Sequence, residues 1–547
     1  MNGMLLLVLS SVCLLAAYIF YGRWIAKSWG IAPDRKTPAH ELYDGVDYVP
    51  TKRGVVFGHQ FASIAGAGPI NGPIIAAMFG WVPVLLWILI GGIFIGAVQD
   101  FTAMYASVKN KGRSVGYIIE LHIGKTGKKL FLGFVWLFSI LVIAAFADIV
   151  AGTFNGFLPS GEKNPANAAV AATSILFIVA AIGLGFLIRR TSNNILQTST
   201  AIILLVACMA MGFVVPVFMT QSFWLYFVFV YIFIASVTPV WALLQPRDYL
   251  NSFLLVAMVV CSFVGVIVNN PTMNLAPFVG FEVNGNHLFP ILFVTVACGA
   301  VSGFHALVSS GTASKQIDNE RDILPVSFGS MLVECLLAVL ALIAVGALAV
   351  GGVQPGDTPP VVFANAVSGF LTTIGLPWHV VFTLITLSIS AFALTSLDSV
   401  ARIGRLAFQE FFISDEYEKM SKLMKILTNK YVATTATLTT GYLLALRGYR
   451  DIWALFGSAN QLLAALTLVA CAVFLKRTKR CGFMLYIPFV FMLAVTFTAL
   501  GMTILKLVSK FPNDFVIASD GLQFILAILL SILGVLVAVQ GVWRLKA

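Results

Sequence analysis

The sequence predicts an all-α polytopic membrane protein of about 15 transmembrane helices, and three observations carry that reading. Hydrophobic residues make up 59% of the 547 positions and charged residues only 10%. Apolar segments long enough to cross a bilayer recur from end to end, with no polar interval large enough for a separate soluble domain. The basic residues alternate by connection, so the net charge of +11 marks one membrane face and does not point to nucleic acid.

In chain order the expected spans are 4–21, 56–80, 82–107, 130–156, 168–188, 194–219, 223–244, 252–270, 290–313, 325–352, 378–409, 431–446, 452–475, 483–505 and 521–543. Alternate connections collect Arg23, Lys27, Arg35, Lys36, Lys109, Lys111, Arg113, Lys315, Arg321, Lys476, Arg477, Arg544 and Lys546 on one side. Only Lys163, Arg447, Arg450, Lys506 and Lys510 fall opposite. The positive-inside rule then places the N-terminus outside and the C-terminus in the cytoplasm. The first span has no basic residue before it and Arg23 and Lys27 after it, which reads as a retained signal-anchor. The seven cysteines are scattered without paired spacing, so neither a disulfide framework nor a metal site is expected.

The second span contains Gly58-His59-Gln60-Phe61-Ala62-Ser63-Ile64-Ala65-Gly66-Ala67-Gly68-Pro69-Ile70-Asn71-Gly72-Pro73. Glycine has the weakest helix propensity after proline, and Pro69 and Pro73 each remove a backbone donor. Unpaired peptide groups facing lipid each cost several kcal/mol, so a break at membrane depth is expected to line a pathway or a binding site. His59, Gln60, Ser63, Gly66, Gly68, Asn71 and Gly72 are therefore the candidate substrate contacts, with the carbonyl near Ala65 a candidate ion ligand.

A second break is expected at Thr238-Pro239, where a hydroxyl N-cap precedes proline at the first helical position. It lies five spans later and runs in the opposite direction. Two interrupted helices so placed point to inverted five-helix repeats, the arrangement that holds the binding site of many secondary transporters. The expected organisation is an N-terminal span and loop (1–55), a ten-span core (56–409, repeats 56–219 and 223–409) and a four-span C-terminal region (410–547). The last region carries Asn460 and Gln461 but no comparable constellation, and it reads as a scaffold or oligomer surface.

The ninth span is crowded with small and hydroxylated residues, most of them explained by close helix packing. Ser309, Ser310 and Thr312 also offer hard oxygen donors of the kind an alkali cation takes, and His305 is that span's carrier of a proton near neutral pH. Asp100, Asp148, Glu334 and Asp398 are carboxylates in otherwise apolar spans, expensive there and hence functional candidates. Asp398 and Arg402 are four apart on one helix face, which an intrahelical ion pair would explain.

With these residues laid out, the chain resembles the carbon starvation protein A (CstA) family of bacterial inner-membrane transporters. The stretches that carry the resemblance are Gly58 to Pro73, Gly96-Ala97-Val98-Gln99-Asp100-Phe101, Ala297 to Thr312, and Ala393-Leu394-Thr395-Ser396-Leu397-Asp398-Ser399. The resemblance implies a fold related to the leucine-transporter-like amino acid, polyamine and organocation group. It also implies uptake of small carbon sources under nutrient limitation, with pyruvate and short peptides as candidate substrates.

The expected function is cation-coupled import of a small carboxylate by alternating access, with no cofactor beyond the coupling proton or sodium ion. The partners are that small molecule and the bilayer. A sodium-coupled amino acid or peptide carrier is the alternative. An ion channel would tolerate broken helices too, but scattered buried carboxylates suit a carrier better. An intramembrane hydrolase would need a third orienting group beside His305 and Ser309, and the sequence offers none, so no enzyme is expected.

Overall fold

The computed structural model describes residues 2–45, 47–122, 124–158, 160–190, 194–238, 240–413, 421–510 and 520–546. Helices dominate, and the longer ones are numbered in chain order. The first nine are α1 (Gly3–Ser28), α2 (Arg53–Ile64), α3 (Gly68–Phe79), α4 (Trp81–Lys109), α5 (Val115–His122), α6 (Lys125–Phe154), α7 (Pro165–Arg190), α8 (Asn194–Val214) and α9 (Gln221–Val237). There follow α10 (Val240–Asn269), α11 (Leu288–Thr295), α12 (Gly303–Gly311), α13 (Glu320–Leu348), α14 (Pro359–Thr372) and α15 (Trp378–Phe412). The chain ends in α16 (Lys430–Ala445), α17 (Tyr449–Arg477), α18 (Phe483–Ser509) and α19 (Asp520–Lys546). A short antiparallel pair, Glu282–Val283 with Asn286–His287, precedes α11.

Among the described residues, eleven helices are long and apolar enough to cross a membrane, and twelve if the bent pair α2–α3 counts as one span. The other expected spans correspond to the 17-residue α9, the 16-residue α16, and the ninth span, which is interrupted between α11 and α12. The connection expected over 358–377 contains a further 14-residue helix, α14, opened by Pro359 and Pro360 where a missing N–H removes no helical bond.

Four helices form the centre. Over the most apolar window of each, α17 is buried along its entire length, α15 over 89%, α6 over 83% and α13 over 78%. α6 and α15 lie against each other along their length, and α17 packs on α6, α11 and α12. Lipid tails are as apolar as leucine, so such helices are held by close packing and internal hydrogen bonds. Gly457 shows the closeness: a Cβ there would sit 1.9 Å from the Val294 carbonyl oxygen. α17 belongs to the region read from sequence as a peripheral scaffold, yet it is the most enclosed helix of the chain.

The expected half-helix after Thr238 is not what forms. α9 closes at Val237, the Thr238 hydroxyl donates back to the Ile234 carbonyl at 2.7 Å, and the chain restarts into α10, a helix of 30 residues. Pro239 lies outside the described residues. The reason lies in α15: Arg402 donates to the Ala235 and Thr238 carbonyls and Arg405 to that of Ser236 at 3.0 Å, so two cations cap the negative end of α9.

Candidate functional site

The break in the second span is real and compact. α2 and α3 meet at 46° across Ala65, Gly66 and Ala67. Ala65 (φ −74, ψ 58) closes an inverse γ-turn in which the Gly66 N–H bonds the Ile64 carbonyl at 2.8 Å. Pro69 stands in the first turn of α3, where its lost donor matters least, while Pro73 sits inside that helix.

The second break falls at residues 296–302, between α11 and α12, and not at Thr238. The two breaks are packed together. A Cβ on Gly68 would sit 2.4 Å from Cys298 Sγ, and one on Gly72 would sit 2.7 Å from the Thr295 carbonyl oxygen. The glycines therefore let two irregular backbones approach, besides breaking their own helix.

Side chains of neighbouring helices satisfy the peptide groups around the second break. Gln99 donates to the Ser302 carbonyl at 2.7 Å, Trp453 to that of Thr295 at 3.2 Å, and Gln461 to that of Phe293 at 2.6 Å. Asn460 Oδ1 accepts the Phe304 N–H at 3.1 Å, and its Nδ2 donates to the Ser302 hydroxyl at 3.0 Å. Three of these four side chains come from α17. The sequence signal for them was the amide pair Asn460-Gln461 in an apolar run.

Between the breaks lies a cavity of about 20 Å³, room for one water molecule. Ile64, Gly66 and Gly68 line it from the first break and Cys298, Ser302, Phe304 and His305 from the second. Phe138, Val142 and Phe146 of α6 and Phe456 and Asn460 of α17 close it. The N-termini of α3 and α12 both open here, so two positive helix ends border one small space. The sequence placed those ends at Gly72-Pro73 and Thr238-Pro239; the structure places them at Gly68 and Gly303.

His305 has a second side. Its Nδ1 lies 3.0 Å from Asp100 Oδ2 and its Nε2 3.3 Å from Glu334 Oε2. All three side chains are buried, and they come from α4, α12 and α13. Three residues singled out separately thus form one triad, a pairing that no sequence spacing reveals. With an imidazolium and two carboxylates the triad carries one net negative charge, and one further proton neutralises it. A cavity-lining imidazole between two acids is chemically a proton store.

The other candidates sort as follows. Gln60 donates to Ser309 at 2.8 Å inside the protein. The Ser310 hydroxyl donates to the Ala306 carbonyl at 2.7 Å and accepts the Val115 N–H at 3.1 Å, and Thr312 bonds back to Val308 at 3.0 Å. Ser309, Ser310 and Thr312 are thus already engaged by the protein, and Ser309 is not presented to His305 as a nucleophile. Ser63 donates to the His59 carbonyl at 2.8 Å, and His59 is half-buried on α2. Asn71 is fully buried with neither amide atom hydrogen-bonded among the described residues.

Asp398 does not pair with Arg402. It accepts from Arg247 of α10 and, at 3.0 Å, from the Tyr231 hydroxyl of α9, while Arg402 is occupied at the end of α9. The guanidinium on a neighbouring helix reaches the carboxylate directly; the residue four along its own helix points to free carbonyls instead. Asp148 is structural: its carboxylate accepts the Tyr449 N–H and a Gln221 amide, each at 2.8 Å, and so caps α17. Thr238 lies with the end of α9 and does not reach the cavity.

Comparison with known proteins agrees with this architecture. Residues 2–355 and 352–499 match the model of the family described as carbon starvation protein CstA. The chain is 34% identical to the peptide transporter CstA of Bacillus subtilis over 98% of its length and 96% of the relative's. It is 32% identical to the peptide transporter CstA of Escherichia coli K12 over 90% of its own length and 80% of the relative's. Against the pyruvate/proton symporter BtsT of the same strain the identity is 31%, over 94% and 83%. Among solved structures, a mutant of the Eremococcus coleocola manganese transporter aligns at 10% identity over 90% of this chain and 94% of that one, with a TM-score of 0.46, too distant to carry an argument. On the family match and the long, even coverage of these relatives, the chain belongs to the carbon starvation protein CstA family.

Proposed function

We propose that this protein is a secondary active importer of small carboxylate nutrients, pyruvate or short peptides, working by alternating access and driven by protons. One observation carries the reading: His305 lines the cavity between the two broken helices and at the same time bridges the buried carboxylates of Asp100 and Glu334. Substrate and proton therefore meet at one side chain. The helix ends at Gly68 and Gly303 favour an anionic group beside it, and the relatives named for peptide and for pyruvate/proton transport handle substrates that carry a carboxylate.

Substrate contacts are assigned to the first break, with Gly66, Gly68 and the unpaired amide of Asn71 nearest and His59, Gln60 and Ser63 on the approach through α2. The two broken spans, 53–79 and 288–311, are proposed as the corresponding helices of two inverted halves, a relation that replaces the one sought at Thr238. The charge asymmetry of the connections supports a bacterial inner-membrane location with the N-terminus outside and the C-terminus inside.

The test is uptake of labelled pyruvate and of a labelled dipeptide into proteoliposomes, driven separately by an inward pH step and by a sodium step. Accumulation under the pH step alone is expected. Accumulation under sodium alone would move coupling to Ala65 and the hydroxyls of Ser309 and Ser310, and no accumulation under any combination would end the carrier reading.

A further inference from the structure

A second buried polar cluster lies outside the cavity. Arg247 of α10 donates to Asp398 and to the Tyr231 hydroxyl, and its Nη2 donates to Thr395 Oγ1 at 3.1 Å. Asn251 donates to the same Thr395 hydroxyl at 2.6 Å. Arg247 is 2% exposed and Asp398 fully buried. Replacing such a pair by apolar side chains is often neutral for stability, so stability alone is a weak account of its presence.

Its place in the fold suggests another. The turn of α15 that holds Thr395 and Asp398 also carries Ser396, and a Cβ on Gly66 would sit 2.9 Å from Ser396 Oγ. One side of this turn meets the broken backbone of the second span; the other holds a fixed positive charge in a nest of oxygen atoms. Carboxylate, phenol and hydroxyl oxygens converging on one buried point are the donor set of a monovalent cation.

We propose that the Arg247 guanidinium occupies a cation seat formed by Asp398, Tyr231 and Thr395, and that this tethered charge does there what a mobile alkali ion would otherwise do. The seat is filled in every cycle, so translocation needs no sodium at this position and the proton triad is left as the mobile-cation site. Only that last consequence rests on the proposed carrier function.

The test is thermal unfolding of the purified full-length protein with guanidinium chloride, sodium chloride, choline chloride or urea at low millimolar concentration. Arg247→Ala is expected to be stabilised by guanidinium, by about 2–4 °C. Wild type is expected to be unmoved, as is the double variant Arg247→Ala with Asp398→Asn, which removes the seat's charge. Sodium acting like guanidinium on the single variant also supports a cation seat. No shift in the single variant, an equal shift with the neutral isostere urea, or an equal shift in the double variant overturns it. Should Arg247→Ala not fold, Arg247→Lys decides. A seat that needs only charge leaves the lysine variant folded and insensitive to guanidinium, whereas a pair that needs the guanidinium fork makes it as unstable as the alanine variant. Because this readout needs no transport, failure of uptake in wild type would end the carrier reading without touching the seat.

Discussion

At the scale of single residues, the buried polar groups divide by what they satisfy. Asn460 holds one donor and one acceptor of the second break, so Asn460→Leu leaves the Phe304 N–H and the Ser302 hydroxyl without that partner inside the protein. The expected loss is about 1–3 kcal/mol, read as a lower unfolding temperature in detergent, together with lower uptake. His122, on the short amphipathic α5 outside the spans, makes the opposite case. Burial, helped by Arg477, holds its imidazole below the usual value of 6.5, and its ring packs on Phe474. Unfolded chains take up that proton near pH 6.5 and the folded protein resists it, so the contribution is intact above about 6.5 and is lost as the pH falls below it. His122→Phe should therefore shrink the drop in unfolding temperature between neutral and mildly acid pH, and an unchanged drop would show that other groups carry it. Residue identity was legible in the sequence and partnership was not. Asp100, His305 and Glu334 each stood out, but they are far apart in the chain, and Asp398 was matched to a helical neighbour because only local spacing was visible.

At the scale of elements, the first break was read from its glycines and prolines because helix propensity is local. The second was misplaced for the same reason. Thr238-Pro239 has the stronger local chemistry, yet two arginines from α15 turn it into an ordinary helix end, whereas residues 296–302 contain no proline and their irregular backbone is held by side chains from α4 and α17. A break stabilised by tertiary partners leaves little trace in its own sequence. The close approach of the two breaks can be tested with a matched pair of substitutions. In Gly72→Ala the new methyl meets backbone, 2.7 Å from the Thr295 oxygen and 3.1 Å from Val296 Cα, and backbone cannot rotate away. Destabilisation of about 1–3 kcal/mol and loss of uptake are expected. Gly58→Ala, on the same span with nothing within 4 Å of the new methyl, should leave both unchanged. Equal behaviour of the two variants would mean that the breaks do not need their contact.

Across the protein as a whole, the cavity decides what must move. About 20 Å³ holds one water, while sites for small organic ligands run to roughly 300 Å³ or more, so a carboxylate substrate requires the phenylalanine walls to part. The enclosed helices α6, α13, α15 and α17 form a frame, and the two interrupted spans within it are the elements with unpaired backbone to hinge on. If the proton rides on the triad, its removal should uncouple the cycle without stopping the hinge. His305→Gln keeps a polar side chain of similar reach but cannot carry the proton. Exchange of labelled for unlabelled pyruvate across a membrane with no pH gradient needs only the hinge, so it should persist in this variant. Accumulation driven by a pH step needs the proton and should fall by about tenfold or more, corresponding to at least about 1.4 kcal/mol of lost coupling. Parallel loss of both activities would make His305 a structural or substrate-holding group, and retention of both would take the triad out of the coupling mechanism.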